Sequence, residues 1–510
     1  MKKNLALVSV LFAAALAACG GGDSSSSAPA PVGGTDGAAT PTSATGTALD
    51  LAKAFLTAYD SSLATTIPAS GVTALAMRDG CSLHNGYSKA LAVTEYDADP
   101  LRVARRQFDI GSTRTNVAVL DERTITNAGI TTRREIDVEY VVNYKDGTKN
   151  EKATETLITG SSSGSKLADG SACATPENKA ELRFYGNRNI ANTFVSASNE
   201  RSERTALATG LAVTPQVRYS KYVTLGVQDP AKVVTYATVS GRGLTVSGTT
   251  DLVTLKLVSP RLLRDAPEFA SKNGNFVDWK DTDNFRVCRT TTAIFAKAES
   301  ADCVANGATG NSWGNFDSTD PIALDLAFRA WGFVPNGEYT FKLYADDGWK
   351  TVNGQAGKEP IATYTSALRN LPMDAIDLAG ISAPPGSAPS NKFPLLLTAS
   401  KTPAEIATAL RAKAAISVDL TWSKPGVMPD ARATALNQLW SFEQGRASTG
   451  VAFNPASRQF NPTFPGSTAT SATLSIPAAV PALITPTYVE ATLEYTNRNG
   501  NFIRSLYTWF

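Results

Sequence analysis

Over residues 135–144 apolar and polar side chains alternate, with Ile136, Val138, Tyr140 and Val142 set against Glu135, Asp137 and Glu139. A period of two sends each set to its own face of a strand, so the segment predicts a sheet buried on one side and wetted on the other. Asp146-Gly147 follows as a hairpin turn, ahead of a polar strand over 149–158. Residues 115–126 read as a further strand. A Ser/Gly loop over 161–171 then leads to a strand over 181–187. Upstream, Thr47 and Asp50 fit a capping box, with Leu51, Phe55, Leu56 and Tyr59 at helical spacing behind them.

Helix first, then a meander of long strands, resembles the cone-shaped α+β fold of nuclear-transport-factor-2-like domains over about residues 47–200. From about 205 the texture changes to short β runs over 216–227, 232–239 and 252–258, with Gly241-Arg242-Gly243 as a turn. Short strands with regular turns predict a sandwich. Pro335-Asn336-Gly337 introduces Tyr339, Phe341 and Leu343 on one face, then Asp346-Asp347-Gly348. This phrase resembles immunoglobulin-like or fibronectin-type strands and, more faintly, the carbohydrate-associated PA14 domain.

A Pro/Ser stretch over 383–392 reads as a linker or a long loop. Thr402-Pro403-Ala404-Glu405 begins a short helix to about 415, with Pro at its first position. At the C-terminal end Val489, Ala491, Leu493 and Tyr495 alternate with polar residues, and Asn499-Gly500 turns into a closing aromatic strand. The fold class expected is multidomain and mainly β: an N-terminal α+β domain (47–204), a β-sandwich domain (205–382) and a β-rich C-terminal domain with a short helix (383–510).

The first residues carry an address. Lys2 and Lys3 precede an apolar run over 5–16, too short to span a bilayer as a permanent helix. Leu16-Ala17-Ala18-Cys19 and the glycines after it resemble the lipobox of bacterial lipoproteins. The resemblance implies a signal peptide over 1–18 and a Cys19 that is cleaved before, carries diacylglycerol and is N-acylated, as by palmitate. Gly20 is not the Asp linked to inner-membrane retention, so the resemblance implies the outer membrane. Residues 20–46 hold only Gly, Ser, Ala, Pro, Thr, one Val and two Asp, which cannot build a core. They predict a flexible tether with a root-mean-square span of roughly 30 Å.

Composition narrows the partners. The chain has 48 basic and 46 acidic residues, and removal of Lys2 and Lys3 leaves 46 against 46. With no long basic run, nucleic acid is not an expected partner, and Arg105-Arg106 and Arg133-Arg134 read as solvated or ion-paired. The partners expected are a membrane, through the lipid, and another envelope protein or a glycan. Cys81, Cys173, Cys288 and Cys303 make an even set in an exported chain, which predicts disulfides. The favoured pairing is Cys288 with Cys303, closing a local loop, and Cys81 with Cys173. Zinc lacks a C-x-x-C pair, and the chain holds one histidine.

Catalytic readings are thin. Any Ser-His-Asp or Cys-His arrangement must use His84, which sits beside Cys81 and reads as a surface or hydrogen-bonding residue. Gly160-Ser161-Ser162-Ser163-Gly164 matches a nucleophile elbow in letters, but a serine-rich loop follows where a helix belongs. Asp281/Asp283, Asp317/Asp320 and Asp346/Asp347 are local carboxylate pairs of the kind a glycosidase uses. Asp281-Thr282-Asp283-Asn284 begins like a calcium loop, but Phe285 and Arg286 stand where a ligand and Gly belong. No cofactor is expected. The expected function is a non-catalytic binding or structural role for a membrane-anchored envelope lipoprotein. The alternatives are a glycan-binding module or adhesin, with Trp313, Trp331 and Trp349 as stacking platforms, and a carboxylate-dependent hydrolase of envelope glycan.

Overall fold

The computed structural model describes residues 44–64, 77–98, 109–127, 130–145, 149–206, 217–244, 253–270, 277, 279–281, 283–288, 303–306, 308–309, 312–350, 359–369, 371–379, 396–412, 414–422, 432–444, 459–460, 470–476, 484–496 and 501–508. The lipobox with Cys19, and the tether as far as residue 43, lie outside the described residues, as do the turns Asp146-Gly147 and Asn499-Gly500. The protein is mainly β, built from several antiparallel sheets and few helices.

Helix α1 (Ala48–Ser62) starts where the capping box predicts. Thr47 Oγ1 accepts the Asp50 amide at 3.2 Å and donates to Asp50 Oδ2 at 2.6 Å. A small hairpin, β1 (Leu83–His84) and β2 (Tyr87–Ser88), runs into α2 (Lys89–Ala98). Then β3 (Thr113–Asn127), β4 (Ile130–Asn143), β5 (Lys149–Ser161) and β6 (Asn178–Gly186) form one four-stranded antiparallel meander in chain order. Ile136, Val138, Tyr140 and Val142 are buried beneath α1 with Leu157 and Phe184. Phe55 and Tyr59 meet the Phe184 ring edge-on at 4.7 and 5.0 Å. Each such side chain contributes on the order of 1.5–3 kcal/mol by leaving water.

The next two sheets share a core. β7 (Asn192–Ala206), β8 (Val217–Gln228) and β13 (Ser312–Ser318) form one end of a seven-stranded sheet. Against them lies a six-stranded sheet of β9 (Tyr236–Gly241), β10 (Leu255–Val258), β11 (Arg286–Cys288), β12 (Ala308–Thr309), β14 (Gly337–Tyr344) and β15 (Ala362–Leu368). Val223, Leu225 and Val227 from one sheet meet Val239, Leu257, Tyr339, Phe341 and Leu343 from the other. On β14 the expected face is buried, while Glu338 and Lys342 point outward. Helix α3 (Pro260–Asp265) places Leu263 in a separate cluster with Tyr236, Val258 and Tyr344, whereas α4 (Pro321–Ala330) and α5 (Ala375–Ala379) pack on the shared core.

The seven-stranded sheet does not stop at β7. β7 pairs in parallel with β22 (Asn501–Thr508), and the sheet continues through β21 (Ile484–Thr496), β18 (Arg432–Gln444) and β19 (Gln459–Phe460). A three-stranded sheet of β16 (Leu396–Ala399), β17 (Ile416–Trp422) and β20 (Ser471–Ile476) meets this far end. There the buried Trp422 donates through Nε1 to Tyr495 Oη at 2.7 Å. Helix α6 (Pro403–Arg411) starts at the expected Pro, and Thr402 and Glu405 add a capping box there, bonding reciprocally at 2.8 and 3.2 Å.

Two expected boundaries fall inside continuous sheets. β7, assigned from sequence to the first domain up to residue 204, pairs with β8 from Asn192↔Gln228 to Glu203↔Val217. The chain therefore leaves the first sheet at Gly186 and enters the next at Asn192. Residues beyond 383 supply β18, β21 and β22 to the sheet that β7 and β8 belong to. Both disulfides take the favoured pairing. Cys81–Cys173 bridges residues 92 apart in sequence, and Cys288–Cys303 bridges residues 15 apart.

Candidate functional site

The histidine is placed by a turn. Asn85 and Gly86 both adopt positive φ, 52° and 83°, as a tight hairpin between β1 and β2 requires. The tip then locks onto the segment leaving β6. Asn85 N–H donates to Asn187 Oδ1 at 3.0 Å, Asn187 Nδ2 donates to Asn85 Oδ1 at 2.7 Å, and Gly86 N–H donates to Asn189 O at 2.8 Å. A Cβ on Gly186 would stand 1.9 Å from Leu83 O, so only glycine lets the hairpin approach.

This docking brings His84 Nδ1 to 3.3 Å from Glu155 Oε2. Glu155 lies on β5 opposite Val138, between Ala153 and Leu157, and thus on the core face of the sheet. Its side chain is 6% exposed. Burial alone would push this carboxyl up. The facing His84 imidazole, the charge of Arg78 and the Gly186 amide overcome that and hold it below the ordinary carboxylate range. A carboxylate against Nδ1 orients an imidazole and leaves Nε2 as its acid–base end. Here the same contact also ties the hairpin to the sheet.

A second buried pair supports the corner beneath. Arg183 Nε donates to Asp79 Oδ2 at 2.8 Å, with side-chain exposures of 5% and 0%. The other guanidinium nitrogens donate to the carbonyls of Lys179, Glu181 and Gly160, and Asp79 Oδ1 accepts the Cys81 amide at 2.7 Å. Ion pair and disulfide therefore fix one turn. The arginines of Arg133-Arg134 are ion-paired, to Glu135 and Glu122 respectively.

Each carboxylate singled out in sequence answers a basic side chain, a hydroxyl or a backbone amide. Asp281 is bridged by Lys232 and Arg264, each at 2.8 Å, and Asp283 Oδ2 accepts the Lys280 amide at 3.0 Å. Asp317 is held by Arg218 and Ser220. Asp320 caps α4, accepting the amides of Ile322 and Ala323 at 2.9 and 3.2 Å. Asp346 Oδ1 accepts the Gly348 amide at 2.7 Å, and Asp347 lies 3.7 Å from Lys350. Among the described residues no three His, Cys, Asp or Glu gather as metal ligands. Ser162 of the elbow-like motif is buried in a loop, where its Oγ accepts the Glu177 amide at 2.9 Å.

Trp349 takes a core position rather than that of a stacking platform: it is buried and stacked on Phe269 at 5.3 Å. Trp331 packs edge-on against Phe316 at 4.6 Å, beside the sandwich core. The side chain of Trp313 lies outside the described residues. Sequence reasoning passed over Glu155. Its signal was a lone acid at an inward position of 153–157, flanked at spacing two by Ala153 and Leu157.

No family model matches this chain, and no curated protein matches it. A solved structure titled as a tetra-tandem repeat in the extending region of a large adhesion protein aligns over 78% of this chain and 74% of its own. At 10% identity and a TM-score of 0.13 the likeness carries no argument about fold or function.

Proposed function

We propose that the protein is a lipid-anchored envelope protein of the bacterial outer membrane with a non-catalytic binding or structural role. Its partners are the membrane, through acylated Cys19, and another envelope protein or a glycan. The observation that supports this reading most is where the acid–base groups go. His84 faces the buried Glu155, and the six acids that could have served a glycosidase cap turns and helices or answer basic side chains. The lipobox and the coreless segment after it support the anchor. Among the described residues no helix is long and apolar enough to cross a membrane. Several acyl chains on one residue hold far more firmly than one.

Two measurements test the reading. Labelling with a fatty-acid analogue is expected to mark the wild-type chain and not Cys19→Ser, and the variant is expected to leave the membrane fraction. Acylation of Cys19→Ser would remove the anchor from the reading. Purified protein is expected to leave peptidoglycan and exported polysaccharide intact, and release of reducing ends would end the non-catalytic assignment.

A further inference from the structure

The joint between the α+β unit and the sandwich holds a carboxylate that the proposed function does not use. On one side of the joint is the hairpin tip, where a Cβ on Gly86 would stand 2.6 Å from Ile190 O and 3.0 Å from the Pro230 ring. On the other side, Ile190 N–H donates to Tyr364 Oη of β15 at 2.9 Å. Pro230 sits in the turn between β8 and β9, directly after Asp229. Asp229 is 2% exposed. Its Oδ2 accepts the Val234 amide at 2.5 Å, while Oδ1 has no hydrogen-bond partner among the described residues. The turn is braced by Arg261 of α3, which donates to Lys232 O at 3.3 Å, and by Lys232 Nζ, which answers Asp281 at 2.8 Å.

We propose that this turn makes docking of the hairpin onto the sandwich proton-sensitive: a proton taken up on Asp229 Oδ1 tightens the joint, and its loss as the pH rises loosens it. A buried carboxylate oxygen with no donor is costly when charged, and protonation removes that cost. Burial pushes the carboxyl up to about 6, outweighing the Val234 amide and the Arg261 charge. An acid raised in the closed state binds its proton more readily closed than open. Docking is thus favoured at low pH, and the gain is lost as the pH rises through about 6. The groups facing the carboxylate are Arg261 and the turn that carries Lys232. The competing source of an acid response is the His84–Glu155 contact, with Arg78, at the base of the hairpin.

Amide hydrogen exchange at Gly86 and Ile190 in the full chain, corrected for intrinsic rates, reads the joint directly. The protection of these amides is expected to be about tenfold higher at pH 5 than at pH 7.5. Asp229→Asn, which is neutral at every pH, is expected to flatten the profile, whereas His84→Gln is expected to keep it. A flat wild-type profile overturns the proposal. So does a slope that survives in Asp229→Asn or vanishes in His84→Gln. If Asp229→Asn does not fold, Arg261→Leu serves in its place, because losing a nearby positive charge should move the midpoint to higher pH. An unmoved midpoint would also overturn the proposal.

Discussion

The α+β unit and the sandwich solve the same problem differently. In the α+β unit α1 covers one face of a single sheet, and the other face carries charge. Arg123 bonds Asp121, Glu135 and Asp137, while Arg133 answers Glu135 and donates to Tyr185 Oη at 2.7 Å. In the sandwich a second sheet takes the place of water. On β8 every residue from Lys221 to Val227 is buried, where β4 alternates. One strand reads as period two, and the other as a nearly continuous buried run. The difference reflects what lies over each face, not a difference in strand geometry.

The comparison can be broken at its strongest ties first. Replacing Cys81 and Cys173 by Ser is expected to cost the α+β unit about 4.5 kcal/mol of stability on a loop-entropy account, read in urea unfolding. The shorter Cys288–Cys303 loop should cost about 3 kcal/mol. Equal losses from the two would argue against loop length as the cause. In the sandwich, Lys221 meets Asp325 at 2.6 Å with side-chain exposures of 2% and 5%, and Asp325 also receives the amides of Ala375 and Ile376. Lys221→Ala strands that carboxylate and is expected to cost about 4 kcal/mol in urea unfolding. A loss below about 1 kcal/mol would show that water reaches the site.

Titration sharpens the same contrast. The Glu155 carboxyl is held low in the fold, so its contribution is present above the ordinary carboxylate value. That contribution is lost as the pH falls through its depressed folded value. Acid unfolding of the α+β unit should therefore steepen through this group, and Glu155→Gln should reduce that steepness while lowering stability at neutral pH. The smallest effect belongs to the open face. Arg123 is 40% exposed, so Arg123→Ala should cost about 0.5 kcal/mol, less still in high salt.

The first sheet was legible because one face of a strand such as β4 was wet. Periodicity located β4 and the buried face of β14, a turn signal placed β5, and capping chemistry marked the start of α1. β7 was harder to assign. Its second half, Asn199 to Arg204, is almost wholly polar, and nothing in that stretch names β8 and β22 as its neighbours. Sheet partnership is a long-range property, and a strand boundary placed by composition missed it. The site was legible only in part. His84 stood out as the one histidine, but its carboxylate partner comes from β5, across a docking that depends on Asn85, Gly86 and Gly186.

The parallel pairing of β7 with β22 also sets an order of assembly. Asn199 is synthesised long before the Asn501 it lies beside, so the β7 edge waits unpaired while the intervening chain emerges. A contact so distant in sequence closes slowly, and an open edge is a place where another chain can add. In refolding, the sandwich should therefore acquire its core before its sheet is complete. The yield of native protein should fall as concentration rises, unless a peptide spanning residues 484–508 is supplied to fill the edge.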